Sequence, residues 1–295
     1  MSWVTWRQHR LEGAWVLIFG AALAAVTGFV AYQLHPANCP GLVSGYCFKD
    51  DVAGQVAQQL LRFDLSQYAL VVLPALAGAF IGCSLVAREI ENGTHRLAWT
   101  QGVTRTRWLL VKLALVFSPV LLIAAAVGIL EVVMLDQQGA GANHWAVFDQ
   151  QAPMTVASTL FGLSLGVMFG ALLGKSVTAM AVTLVVFVIV RVGLAEIARP
   201  NYVAPLTYST HDLTAYNPAS NPTAWWLEQP SYYDSAGHLL STDGPGGGQA
   251  AAYVVQHFQP GDRFWAFQTI ESAILAGLAM VLIGLTFYLV TRRVS

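Results

Sequence analysis

Six stretches of this chain are apolar over lengths that match the hydrocarbon thickness of a bilayer. A membrane-spanning helix needs about 20 mostly apolar residues. The runs Ala14–Leu34, Tyr68–Val86, Leu109–Leu135, Val156–Leu173, Val177–Ala195 and Phe267–Val290 answer to that requirement. Of the 295 residues, 56% are hydrophobic and 11% charged, where a soluble domain carries about 25% charged residues. So little charge does not coat a water-facing globule. The six runs predict an all-α membrane protein: one transmembrane domain over residues 1–295, with six transmembrane helices. A net charge of −1 leaves no basic footprint for nucleic acid.

Charge sets the predicted direction. With both termini inside, Arg7, Arg10, Arg88, Arg96, Arg105, Arg107, Lys112, Lys175, Arg292 and Arg293 fall on one side. Lys49, Arg62, Arg199 and Arg263 fall on the other. Ten against four obeys the positive-inside rule. Both termini are therefore expected to be cytoplasmic, in a multi-pass protein of the plasma membrane. The first run follows Arg7 and Arg10, as in a signal peptide, but exceeds the roughly 7–15 apolar residues of a signal h-region. It is read as a span. Trp3, Trp6, Arg7 and Arg10 suit an interfacial lead-in helix, the alternative being an unstructured tail.

Two segments are expected outside. His35–Gln67 holds Cys39 and Cys47, which in an oxidising compartment form either a disulfide or a pair of free thiols. Cys83 lies in the second span and is read as packing. The second segment, Glu196–Trp265, is a large extracellular insertion between the fifth and sixth spans, rich in Pro, Gly and Tyr. Its length suits a folded cap better than a linker. Ala250–Val255 reads as a short apolar turn, and Trp225 and Trp226 as interfacial residues.

Few residues point to chemistry. Glu131, Glu196 and Glu271 map to outer ends of spans, where water reaches them. Arg191 lies deeper, a little over one helical turn from Glu196, so snorkelling or a local ion pair accounts for it. The competing reading makes Glu131, Arg191 and Glu271 a polar ring at the outer gate of a pathway, since charge inside a bilayer is costly. Gly170–Ser176 looks like a phosphate-binding loop, but the first Gly of that motif is Phe169 here. Gly162-Leu163-Ser164-Leu165-Gly166 fits the nucleophile-elbow pattern but sits inside an apolar run, so it reads as small-residue packing. The stripe Gly162, Gly166, Gly170 suits close helix contact, within one subunit or between two. The seven His show no metal-ligand spacing, and no metal site is expected.

The segment Ala87–Arg107 is a polar hairpin between two spans and carries four of the fifteen Lys and Arg. Val86–Ile90 continues the second helix beyond the apolar run, and Asn92-Gly93 is a helix-stop signal. Thr94 suits the cap of a new short helix over His95–Gln101, which Gly102 ends. Either this is a solvated loop held by headgroup charge, or it is a coupling element docked on a cytosolic motor.

At this point the chain resembles the type-2 permeases of ATP-binding-cassette (ABC) transporters, particularly their small actinobacterial branch. The residues that carry the resemblance are Thr5 to Arg10, Ala87 to Gln101, Arg105 to Lys112, and Gln259-Pro260-x-x-Arg263-Phe264-Trp265-x-Phe267-Gln268-x-Ile270-Glu271. The Arg-Glu…Gly-Thr pattern after the second span is the most specific of these. Gly102-Val103 stands where many relatives carry Pro. The resemblance implies half of a membrane pore that pairs with a second copy. It implies a separate ATPase subunit, which binds ATP and Mg and grips the inner hairpin, and export driven by hydrolysis. Glu89, Glu91, Gly93, Thr94, His95 and Arg96 would then lie at the coupling contact, and this chain itself would be neither an enzyme nor a holder of cofactors.

Two other functions compete. A membrane scaffold or sensor acting through the outer loop needs no ATPase. A secondary transporter usually shows inverted repeats and broken spans, which this sequence does not display clearly. The transported substrate is not legible.

Overall fold

In a computed structural model, residues 72–93, 104–137, 145, 147–213, 216–218, 221, 223–241 and 251–292 are described, with positions 25, 26, 28, 29, 32 and 56. The first predicted span, Cys39, Cys47 and the expected helix His95–Gln101 lie outside the described residues, apart from those isolated positions. Among the described residues, five helices are long and apolar enough to cross a membrane: Val72–Glu91, Arg105–Leu130, Ala152–Leu173, Ser176–Asn201 and Gly261–Arg292. They coincide with the second to sixth predicted spans. We label the helices α1 (Val72–Glu91), α2 (Arg105–Gln137), α3 (Ala152–Leu173), α4 (Ser176–Val192) and α5 (Phe264–Arg292).

The described residues divide into two compact units. One is drawn from Met1–Gly139, Asp149–Arg191 and Glu271–Ser295, the other from Ala140–Phe148 and Val192–Ile270.

The first unit is helical, and local sequence sets its helix ends. Asn92 caps α1, and Gly93 takes φ +68°, a left-handed conformation that suits Gly. Thr104 opens α2, its hydroxyl accepting from the Arg107 N–H at 3.3 Å. Pro153 stands in the first turn of α3, where its missing N–H costs no helical bond. Gly174, at φ +62°, ends α3 and lets the chain turn at once into α4.

Small residues decide how α1 meets α3. Over Ala77–Gly82, α1 widens into a π-helical turn, and there its backbone lies against α3. A Cβ added at Gly166 would collide with the Gly78 carbonyl, and one at Gly162 with the Pro74 carbonyl. One at Gly170 would come within 2.8 Å of the Cys83 carbonyl. The glycine stripe of α3 therefore packs within one subunit, against α1. Around this seam Leu85, Trp108, Leu109, Phe117, Leu163 and Val290 close an apolar core shared by α1, α2, α3 and α5. The most apolar stretch of α3 is 67% buried, that of the helix Ser176–Asn201, which contains α4, only 22%. Hence α3 is the central helix, and α4 leaves most of its apolar surface uncovered.

The second unit corrects the all-α expectation. It contains a five-stranded antiparallel sheet of β1 (Leu206–Thr210), β2 (Trp225–Trp226), β3 (Ser231–Tyr233), β4 (Leu239–Ser241) and β5 (Tyr253–Gln259). β5 is central: β1 pairs along one side, β2 and β3 along the other, and β4 pairs with β3. The segment read as an apolar turn leads into this strand. Its burial pattern over Tyr253–Gln259 follows a period near two, the mark of a strand. Trp225 and Trp226 pair with Gln259 and Phe258 in the sheet.

Gly166→Ala is expected to destabilise the protein by about 1–3 kcal/mol, the range for overpacking a tight contact. Gly284→Ala on α5, where nothing lies within 4 Å of the added Cβ, is expected to be neutral or stabilising by up to about 1 kcal/mol. Thermal unfolding in detergent measures both; equal effects would contradict the described seam.

Candidate functional site

Two clusters of charge lie inside the helical unit, at opposite ends of its helices. The first surrounds the tip of α1. Leu85 and Glu89 are one helical turn apart and so share a face. Trp108 and Lys112 do the same on α2. The Lys112 ammonium pairs with the Glu89 carboxylate, donates to the Leu85 carbonyl at 3.1 Å, and lies 4.5 Å from the centre of the Trp108 ring. Lys112 is 1% exposed. A charge this deep requires such a set of partners, because an unpaired buried ammonium loses its hydration without return.

Glu91 points another way. Its Oε2 accepts from the Ser176 N–H at 3.1 Å and from the Ser176 hydroxyl at 2.8 Å. The carboxylate caps the N-terminus of α4, where backbone N–H groups and the helix dipole favour a negative group. Between the two acids, Ile90 lies on the α3–α4 turn: a Cβ at Gly174 would stand 3.1 Å from its Cγ2. The last turn of α1 is thus held by α2 through Glu89 and by α4 through Glu91.

The second cluster joins α4, α5 and the short 3-10 turn Phe148–Gln150 that leads into α3. Arg191 Nη1 donates to Glu271 Oε1 at 2.8 Å, and Nη2 to Asp149 Oδ1 at 2.6 Å. Glu271 is fully buried, Arg191 nearly so, and the Asp149 side chain 27% exposed. The planar guanidinium serves two carboxylates at once, which an ammonium does less well. This corrects two expectations. Glu271 is enclosed by protein rather than reached by water. Arg191 does not pair with Glu196, which is exposed; five residues along a helix put the two on different sides of it.

Of the residues singled out in the sequence, Glu89, Glu91 and Gly93 gather at the α1 tip, and Arg191 and Glu271 meet at the other end. Glu131 lies in α2, but its side chain, like Thr94, His95 and Arg96, falls outside the described residues. Lys112, Ser176 and Asp149 were missed as partners. In the sequence Lys112 counts only toward orientation, and no short-range spacing links any of the three to its partner. Cys83 is a free, buried thiol 3.2 Å from the Thr183 hydroxyl. Among the described residues no group of His, Cys, Asp and Glu is arranged to hold a metal ion.

The second unit has polar order of its own. Gln256, buried in β5, accepts from the Tyr216 hydroxyl and donates to the Glu228 carbonyl. Burial pushes the Tyr216 phenol above its ordinary pKa. Gln259 donates to the Val203 carbonyl at 2.7 Å and accepts from Arg263 at 2.9 Å, and Gln268 donates to the Phe148 carbonyl at 2.6 Å. Trp145 stacks between Phe148 and Trp225 and meets Phe264 and Phe267 edge-on. In the β3–β4 turn, Asp234 accepts from the Ala236 and His238 N–H groups, each at 2.8 Å, and from the His238 ring at 3.0 Å. The His238 backbone bond foremost, then its ring, hold the Asp234 carboxyl below the usual range.

Five apolar helices whose few deep charges are paired within the chain define a multi-pass membrane protein. Residues 13–199 match the family model described as ABC-2 membrane transporter related, and the chain belongs to that family. It is thus a membrane component of ABC-2-type transporters. No curated protein and no solved structure matches the chain. The matched stretch takes in the α1 tip, Lys112, Ser176, Asp149 and Arg191; Glu271 and the sheet lie beyond it.

Arg191→Met is expected to cost about 3–5 kcal/mol, because it strands buried Glu271 beside Asp149. Asp149→Asn, at a site open in part to solvent, should cost clearly less. Thermal unfolding in lipid nanodiscs ranks the two, and a reversed order would contradict the described burial.

The Asp234 turn carries a pH signature. A carboxyl depressed in the folded state adds stability above its unfolded pKa, and loses it as pH falls through the lower folded value. The Ala236 and His238 amide NMR shifts should therefore titrate with a midpoint below the roughly 3.9 of a free Asp. A midpoint at or above that value would contradict the turn.

Proposed function

We propose that the chain is the membrane permease subunit of an ATP-driven ABC exporter. A separate ATPase binds ATP and Mg and takes hold of the polar hairpin after α1, and a second permease copy completes the pathway. The observation that carries this reading is the abrupt end of α1 at Gly93, with the whole last turn braced by neighbouring helices, in a member of the ABC-2 family. A braced helix end leading into a basic hairpin suits a lever that a cytosolic motor moves. Thr94, His95 and Arg96 supply the contact in this reading. The positive-inside pattern puts the hairpin and both termini in the cytosol and the sheet-bearing insertion outside.

At the outer end, the bond of Arg191 to Glu271 and to Asp149, in the turn before α3, ties α4 to both and serves as the outer gate, to which Glu131 also belongs in this reading. Six spans are completed by the first apolar run, Ala14–Leu34. The apolar walls favour an amphipathic or hydrophobic cargo, whose charge would not be stranded in a low-dielectric path.

The test is isolation of the tagged chain, co-expressed with its candidate ATPase, in lipid. The wild type is expected to retain the ATPase and stimulate it. Combined Thr94→Ala, His95→Ala and Arg96→Ala substitution is expected to release the ATPase or return its activity to the unstimulated level. A wild type that retains no ATPase, together with a variant that changes nothing, would favour a scaffold acting through the insertion.

A further inference from the structure

We propose that Glu89 and Glu91 are internal transmission residues: they carry movement of the hairpin to α2 and α4 within the same subunit, rather than touching the motor. This rests on the permease reading above and assigns roles to Lys112 and Ser176, which the reading itself does not need.

The geometry is the argument. An acid reserved for a partner protein would keep its carboxylate uncommitted, and neither does so here: that of Glu91, though exposed, is taken up by Ser176. The Glu89 side chain is only 14% exposed, and its charge is taken up by an ammonium 2% exposed. That ammonium reaches back to the Leu85 carbonyl on the same α1 face, so Lys112 grips α1 at two successive turns. Displacing α1 without α2 would leave Lys112 buried beside apolar groups and the Trp108 ring, a costly state for an ammonium. Glu91 accepts two hydrogen bonds from the first residue of α4, and separating the pair would uncap that helix. Ile90 against Gly174 adds a steric stop between the two bonds. Gly93, one position past the helix cap, takes a left-handed conformation at φ +68°, and the hairpin begins beyond it. Rotation of the hairpin therefore reaches the α1 tip first, then α2 through a buried charge and α4 through its cap. The two connections differ in strength: the Lys112 arm is buried, while the Glu91 arm is exposed and weaker.

The test uses the complete transporter in nanodiscs, with the wild type measured first. Fluorophores attached through non-natural residues at Ile129 on α2 and Ile189 on α4, both exposed, report the distance change on adding ATP. Glu89→Gln, Glu91→Gln and Lys112→Met are compared at matched melting temperature. Each is expected to keep the ATPase bound at wild-type stoichiometry and hydrolysing, while the ATP-driven distance change is lost in Glu89→Gln and Lys112→Met and reduced in Glu91→Gln. The Glu89→Gln/Lys112→Met double variant is expected to be no worse than either single one, because two members of one link fail as a unit. Glu91→Gln is mild enough to test the proposal should the Lys112 variant not fold. Release of the ATPase by Glu89→Gln or Glu91→Gln would make the acids motor contacts and overturn the proposal. A wild-type-sized distance change in both glutamine variants would also overturn it. A wild type without bound ATPase defeats the permease reading, and the clamp's role with it; it is told apart because it is seen before any variant is compared.

Discussion

Backbone contact between α1 and α3 is the constraint on which the helical unit depends. In lipid, apolar side chains gain little by leaving their surroundings, so helices associate through close packing and internal polar bonds. Gly78 on the π-helical turn of α1 and Gly162 and Gly166 on α3 leave no room for a Cβ. That contact fixes the height of α1 along α3. Height in turn decides which residue of α1 comes level with Lys112 and which with the start of α4. One turn of slippage would take Glu89 away from the ammonium and Glu91 away from Ser176. The contact thus positions the tip of α1 through shape, without any polar group of its own.

Polar groups then follow the rule that the membrane imposes. Among the described residues, Lys112 pairs with Glu89 of another helix, and Arg191 with Glu271 on α5 and with Asp149 just before α3. Such pairs are weak evidence for stability, since desolvation offsets much of the attraction. They are better understood as connectors that make two helix ends move together or not at all. One connector stands at the hairpin end of the helices and one at the other.

Much of this was legible in the sequence, for physical reasons that separate the successes from the failures. The five described spans stood out because bilayer thickness forces a long apolar run, and the end of α1 because Asn92-Gly93 acts locally. Arg191 and Glu271 drew notice because charge in an apolar run is rare. Their pairing did not, because the Arg191–Asp149 and Arg191–Glu271 bonds join residues 42 and 80 apart. Lys112 was misjudged for the opposite reason: near a helix end, a lysine reads as a headgroup anchor, and only the packed structure reveals it buried. The sheet was missed because its strands run only two to seven residues, too short for alternation to stand out among Pro- and Gly-rich turns. The polar residues of the Gln259 to Glu271 motif had looked like a family signature alone. Gln259, Arg263 and Gln268 prove to be backbone ties and Glu271 the buried end of an ion cluster.

The most direct test of the central claim is a cryo-EM map of the chain with its ATPase in a lipid nanodisc. The ATPase is predicted to sit on the hairpin that follows Gly93, with Glu89 still on Lys112 and Glu91 still on Ser176 inside the permease. A partner seated instead on the β1–β5 sheet, with the hairpin bare, would contradict the account and mark the protein as a scaffold.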